Sequence, residues 1–329
     1  VTIESTYASW YEGSDNVVLY SDEYWQNQKY ENNYFIRSFD REGNELSCAP
    51  IEVPQDTWLD AYRMQLDDKG NVVVSTGQGV RAIGLDGEDA YTVETNGYVD
   101  TLLRLPDGRI AAMIYDDQQL LCILDSESGR FVDGVPVSFD GYSAVTGGGD
   151  YDIYYTNGAY FYGYKLGDEQ PTKLFNWINC DVNGQRVSVL AVKESGEVVG
   201  VLTEYDQKSQ TYSSELVTVK QVPYESVPHK EPITLAVMYL DYNVQDLIID
   251  YNRHSDKYRI EVLDYSEYNN DQDGWDAGQT KLNTEILSGK MPDILSLSGL
   301  PYSQLAAKGL LEDLYPYLDK DPELSRDDF

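Results

Sequence analysis

Histidine is almost missing from this chain. His229 and His254 are the only two, and neither stands near a plausible nucleophile, so a histidine-dependent triad has little to draw on. Both read as surface residues. Cysteine is scarce too. Cys48, Cys122 and Cys180 are widely spaced and odd in number. They make neither a metal-ligand spacing nor a disulfide framework, and read as buried free thiols in strands. Positive charge is in short supply, with 24 Lys and Arg against 57 Asp and Glu. The resulting formal charge of −33, with a pI near 4.1, argues against nucleic acid or an anionic membrane surface as partner. No apolar run approaches the roughly 18 residues that a membrane-spanning helix needs. No leader segment is visible, and a leader removed earlier is compatible with an extracytoplasmic protein.

The carboxylates are too numerous to nominate a glycosidase pair, because chance pairs are assured. The stretch from Asn269 to Gly274 partly matches a calcium loop, with a glycine at its sixth position. The twelfth position is Thr280, where that loop needs a bidentate glutamate, so it reads as a solvated loop. Gly147, Gly148 and Gly149 are not followed by a helical pattern and read as a tight β turn, not a phosphate loop. No metal and no cofactor is expected.

What the chain does have is tyrosine, 29 residues against 7 Phe and 5 Trp. Tyrosine suits strands with one wet face and surfaces that contact sugar or protein. It also has a repeat. Gly70 precedes VVVST, Gly108 precedes IAAMIY, Gly149 precedes YDIYYT and Gly196 precedes VVGVLTE, at spacings of 38, 41 and 47 residues. A second strand follows each: GVRAIGL, QLLCILD, AYFYGYKL and SELVTVKQV. An earlier copy begins near Ser14, with a polar insert from Glu23 to Asn33. A period of about 40 residues built of short strands and Asp-Gly or Asn-Gly turns predicts a β-propeller. Five blades are expected, near 14–55, 58–98, 99–138, 139–180 and 185–224, with the N-terminal VTIEST closing the last. The first 230 residues hold no WD dipeptide, kelch pattern or repeated Asp-box. A β-sandwich is the alternative.

From Gln221 to Pro232 the chain carries Pro223, Pro228 and Pro232, a stiff linker. The pattern beyond it changes to βαβαβ. Val244, Leu247, Ile248 and Tyr251 fall at i, i+3, i+4 and i+7, one face of a helix, with Asn243 as its N-cap. Tyr258, Ile260 and Val262 alternate as a strand does. Leu282, Ile286 and Leu287 mark a second helix, ended by Gly289. Ile294 to Leu297 read as a short buried strand. Pro301 and Gly309 bracket a third helix. Strand, helix and strand in succession imply a parallel sheet, whose ligands sit at the carboxyl ends of its strands.

Over roughly the last 95 residues the chain resembles an extracellular solute-binding protein of the ABC-importer type, family 1-like. The resemblance rests on the strand–helix opening ITLAVMYLDYNVQDLIIDYNRHSDKYRIEVLDY, on LSGKMPDILSL and on AAKGLLEDLYPYLDKD. The order of the two parts resembles lipoproteins of anaerobic gut Firmicutes in which a propeller precedes such a domain. The expected fold is therefore multidomain β plus α/β. It comprises an N-terminal β-propeller over 1–224, a proline-rich linker over 225–232 and a partial α/β periplasmic-binding-protein-like lobe over 233–329. The second lobe and hinge of the family are not in the sequence, so this chain alone is expected to bind solute no better than about millimolar, about −4 kcal/mol.

Seven residues follow the expected strand ends and are the candidate ligand contacts: Tyr239, Asp241, Asp264, Tyr265, Tyr268, Ser298 and Gly299. Tyrosine rings stack on apolar sugar faces, and carboxylates accept from hydroxyls. The resemblance implies a non-catalytic, extracytoplasmic component of an importer, anchored as a lipoprotein at the cell surface. Its partners, as the resemblance implies, are a small solute, a sugar by family habit, and an ABC permease. The alternative is a cell-surface propeller scaffold that contacts protein or glycan; a propeller glycosidase or lyase is a third reading.

Overall fold

The computed structural model describes residues 2–11, 28–54, 59–139, 143–206, 209–227, 229–269, 274–297 and 299–328. The chain divides into two compact units, one of Val1–Trp177 with Gly184–Gln221, the other of Ile178–Asn183 with Val222–Phe329.

Among the described residues the first unit is β apart from one 3-10 turn at Gly184–Arg186, with five antiparallel sheets made of consecutive strands. The first sheet holds β1 (Thr2–Tyr11), β2 (Gln28–Phe39) and β3 (Glu45–Ile51). The second holds β4 (Asp60–Leu66), β5 (Val72–Ser75), β6 (Gly79–Ile83) and β7 (Asp89–Glu94). The third holds β8 (Tyr98–Arg104), β9 (Ile110–Asp116), β10 (Gln118–Asp125) and β11 (Arg130–Pro136). The fourth holds β12 (Ile153–Thr156), β13 (Tyr160–Tyr164) and β14 (Thr172–Asn176), and the fifth β15 (Val187–Val192), β16 (Val198–Asp206) and β17 (Thr211–Val219).

Side-chain alternation joins neighbouring sheets. In β5, Val72 and Val74 pack with Tyr34, Ile36 and Ile51 of the first sheet, whereas Val73 packs with Leu102 and Ala112 of the third. In β9, Ala112 and Ile114 face the second sheet, while Ala111 and Met113 meet Ile153 and Tyr155 of the fourth. Strands buried on both faces lose the polar alternation of a half-wet sheet, which is why VVVST and IAAMIY are continuously apolar.

The repeat glycines take equivalent places. Gly70, Gly108 and Gly196 each close the turn between the first two strands of a sheet, donating to the carbonyls of Asp67, Leu105 and Lys193. Gly149 precedes β12 in a looser turn, opened by an isolated bridge between Val145 and Tyr154. Two differences from the expected blades concern the N-terminus. Thr2–Tyr11 runs antiparallel to β2 over ten residue pairs, so VTIEST belongs to the first sheet and not to the last. Residues 28–33, expected within a polar insert, are part of β2; Ser14 and the start of that insert lie outside the described residues. Among the described residues the first, fourth and fifth sheets have three strands, not four.

The cysteines also depart from expectation. Cys122 is buried, but Cys48 in β3 is exposed. Cys180 lies in a 3-10 turn, not a strand.

Gly87, in the β6–β7 turn, combines two demands. Its φ is +89°, and an added Cβ would overlap the Pro50 carbonyl oxygen. Gly43 has nearly the same φ, +88°, with open space around it. Gly87→Ala should therefore cost about 3 kcal/mol and Gly43→Ala only about 1 kcal/mol. Urea titration of the two variants separates overlap from backbone strain; equal losses would show that the overlap relaxes freely.

The second unit holds a parallel three-stranded sheet in the order β19–β18–β20. Its strands are β18 (Glu231–Val237), β19 (Tyr258–Asp264) and β20 (Ile294–Leu295), with helices α1 (Tyr242–His254), α2 (Ala277–Leu287), α3 (Tyr302–Ala307) and α4 (Tyr315–Leu318). β20 is shorter than the expected Ile294–Leu297, and β18 starts within the expected linker. α2 and α3 both end in Schellman turns. Lys290 and Leu310 donate back to Glu285 and Leu305, while Gly289 and Gly309 adopt φ of +86° and +69°.

The first helix sits differently from its sequence pattern. α1 begins at Tyr242, so Asn243 lies inside the first turn and Asp241 stands before it. Its buried side chains are Gln245, Ile248, Ile249 and Asn252, whereas Val244, Leu247 and Tyr251 are exposed. The reason is a hydrogen-bond pair. The Asn252 amide accepts from Ile260 N–H at 2.7 Å and donates to Ile260 O at 3.0 Å. It satisfies backbone groups on the edge of β19 that faces away from β18, so a polar residue must turn inward. On α2, Leu282 and Ile286 are buried as expected, but Leu287 is exposed.

Residues 178–183, assigned from sequence to the first domain, cluster here with the second. Ile178 packs with Leu235, Val237 and Ile248. Asp181 pairs with Arg259 at 2.9 Å, and Asn183 donates to Asp246 at 2.8 Å.

Candidate functional site

In the second unit the three strands are parallel, so their carboxyl ends share one edge of the sheet. Tyr239 and Asp241 follow β18, Tyr265 and Tyr268 follow β19, and Gly299 follows β20. Asp264 is the last residue of β19. Ser298 lies outside the described residues.

These positions differ in what their side chains do. Tyr239 is 75% exposed and offers an open ring. Asp241 accepts at its backbone carbonyl from Gln245, fixing the start of α1. Asp264 caps the 3-10 turn Tyr265–Tyr268, its carboxylate accepting from Ser266 N–H at 2.9 Å and Ser266 Oγ at 2.6 Å. That carboxylate builds the loop. Tyr265 is buried and packs with Leu282 and Ile286. Its hydroxyl donates to Glu285 at 2.5 Å. Burial, then the Glu285 carboxylate, push the Tyr265 phenol up to about 12. Tyr265 therefore anchors the loop onto α2.

Tyr268 is partly open. Lys281 Nζ lies 4.5 Å from its ring centroid and 3.2 Å from Glu285, linking the ring to the Tyr265 anchor. Gly299 has φ +74° and accepts at its carbonyl from Gln279 of α2. Trp275, just before α2, is 77% exposed. Sequence reasoning passed over it, although a lone tryptophan beside an acidic loop in this chain was a usable signal. Open Tyr239, half-open Tyr268 and open Trp275 are the rings available after β18 and β19. The six described candidates thus share one sheet edge, and among them Asp264 and Tyr265 build the loop while Tyr239 and Tyr268 offer available surface.

The first unit has a separate groove of about 1260 Å³, bounded by the end of β3, the β5–β6 turn and strands β6 and β7. Arg81 lies in its wall and is buried. Its Nε and Nη2 donate to Asp89 Oδ1 at 2.9 and 2.7 Å, and Nη2 also donates to Glu52 O at 2.9 Å. Nη1 is buried with no partner among the described residues, an arrangement that costs free energy unless a further acceptor arrives. Gln78, Thr95 and Tyr98 supply amide, hydroxyl and ring surface to the same groove. No sequence motif pointed here, because the groove is built by strands and turns from three sheets.

Among the described residues no group of three or more His, Cys, Asp or Glu side chains could hold a metal ion, and no helix is long and apolar enough to cross a membrane.

No family model and no curated protein matches this chain. Solved structures are similar only at low scores. A protein of unknown function from Bacteroides caccae is 18% identical, covering 42% of this chain and 50% of that one, with a TM-score of 0.26. The Pan2 WD40 domain of Neurospora crassa is 12% identical over 55% of this chain and 58% of its own, with a TM-score of 0.37. Hydrazine synthase of Kuenenia stuttgartiensis is 8% identical over 58% and 57%, with a TM-score of 0.35. This chain thus spans about half to three fifths of the structures it matches. The β-rich character of the first unit stands on its own five sheets.

Proposed function

We propose that this chain is the solute-recognising part of a non-catalytic, extracytoplasmic binding component of an ABC importer. A neutral sugar is its solute, a permease its membrane partner, and a lipoprotein anchor at the cell surface its setting. The first unit is then a β-propeller of about five blades, an accessory module, and the second a partial solute-binding lobe. The observation that carries the reading is the common edge of the parallel sheet, where loops after β18 and β19 bring exposed Tyr239 and Trp275 and half-open Tyr268. Aromatic rings beside carboxylates suit a polyol with apolar ring faces.

A second reading, a propeller scaffold that holds glycan or protein, draws support from the unpaired Arg81 Nη1 at the groove of the first unit. One experiment separates them. Saturation-transfer NMR with maltotriose, cellotriose and xylotriose detects weak binding. If the first reading holds, Tyr239→Ala and Trp275→Ala should each weaken a bound sugar about fivefold, about 1 kcal/mol, while Tyr98→Ala changes nothing. Loss on Tyr98→Ala alone would move the site to the groove. Absence of transfer to every sugar would overturn carbohydrate as the solute class.

A further inference from the structure

The groove of the first unit lacks two things at once, an acceptor and positive charge. Arg81 stands in its wall with a side chain only 9% exposed. Asp89 Oδ1 and the Glu52 carbonyl accept from Nε and Nη2, and Nη1 is left buried without a partner among the described residues. Glu52, Glu88 and Glu94 line the same groove as exposed residues, and their carboxylates have no partner among the described residues. Asp86 stands beside them, its carboxylate accepting from the Glu88 N–H at 3.2 Å. Arg81 is the one cation among the described residues that line the groove, and Asp89 already holds it.

We propose that this groove takes a basic peptide segment. A backbone carbonyl of the peptide accepts from Arg81 Nη1, while its lysine or arginine side chains meet Glu52, Glu88 and Glu94. The two needs select the occupant together. An anion would satisfy Nη1 but is repelled by the carboxylates around it. A metal ion offers Nη1 no acceptor, and among the described residues no three carboxylates converge to hold one. A polyamine brings charge without an acceptor, and a neutral sugar an acceptor without charge. A basic peptide carries both on one chain. Nη1 is buried, so its acceptor must be slim, entering as exposed side chains of the wall yield; a single carbonyl oxygen is. Tyr98, 46% exposed in the same lining, gives a basic side chain an aromatic face. This inference does not depend on the solute reading. It rests on the scaffold reading and narrows its partner to protein.

A charge of −33 attracts any polycation to the whole surface, so the test compares variants of equal charge. Fluorescence polarisation follows a labelled, end-blocked octapeptide of alternating Ala and Lys, titrated with the whole chain at low salt. Glu88→Gln combined with Glu94→Gln should weaken the peptide about fivefold or more. Glu204→Gln combined with Glu215→Gln, both exposed on the fifth sheet, should weaken it less than about twofold. Spermine carries the same charge as the peptide but no carbonyl, and should compete about tenfold less well than unlabelled peptide. Circular dichroism checks that both double variants remain folded. Equal losses in the two would show attraction to overall charge and overturn the proposal. So would spermine that competes as well as the peptide, or a peptide that does not bind. Displacement of the peptide by xylotriose would also overturn it, leaving the scaffold reading with a glycan in the groove.

Discussion

Ile248→Asp should unfold the second unit, while Leu247→Asp, one residue earlier, should leave it folded. Ile248 is 3% exposed and packs with Ile178, Leu235 and Val237. None of those neighbours can receive a hydrogen bond or neutralise a carboxylate. An unpaired charge in such a place costs about 4 kcal/mol or more, comparable to the whole stability of a small unit. Leu247 is 69% exposed. Its replacement loses little burial and some helix propensity, together about 1 kcal/mol or less. Amide hydrogen exchange over 242–264 reads the second unit apart from the first. Protection should vanish in Ile248→Asp and persist in Leu247→Asp. Equal loss in both would restore the helix face expected from the apolar spacing, and equal persistence would mean that Ile248 is not in a core.

That pair marks where sequence reading stopped. The positions of α1, α2 and the three parallel strands follow from periodicity, and the two glycine-ended helices from the conformation that Gly289 and Gly309 take. The rotation of α1 does not follow. An apolar count favours Val244, Leu247, Ile248 and Tyr251 because it scores Asn252 as a surface residue. Only the unpaired backbone edge of β19 shows why an asparagine belongs inside. The turn glycines of the first unit were legible because each closes a hairpin within five residues, a local event. The pairing of β1 with β2 was not, since 16 residues separate the two strands and the choice between the first and last sheet depends on contacts far along the chain. At the strand ends, Tyr239 and Tyr265 look alike in sequence. Glu285, twenty residues further on, decides that Tyr265 is an anchor and leaves Tyr239 open.

Arg259→Ala should release the segment 178–183 and lower the stability of the second unit by about 3 kcal/mol. Arg259 donates to Asn179 O at 2.8 Å and Ile178 O at 3.2 Å, and pairs with Asp181 at 2.9 Å. The pair is partly buried, at 21% and 29% side-chain exposure. Removing the guanidinium leaves a carboxylate and two carbonyls short of donors in a place where water reaches them poorly. Lysine would recover only part, because a single ammonium cannot span three acceptors. Cys180, inside the segment, reports the outcome with a sign. Burial first, and then Asp181, push its thiol up to about 11, while Arg259 pulls it down. If the segment stays docked in Arg259→Ala, the lowering influence is gone, the thiolate becomes scarcer and alkylation slows. If the segment leaves, burial is lost and the thiol returns toward 9, its ordinary value. At pH 8 that change raises the thiolate fraction, and with it alkylation, by about a hundredfold. Measured in a Cys48→Ser background, with Cys122 buried, faster labelling of Cys180 is the expected result. Slower labelling with unchanged urea stability would mean that Ile178, the Asn183–Asp246 bond and the Arg253 donation to Asp181 O hold the segment, and that the Arg259 contacts contribute nothing net.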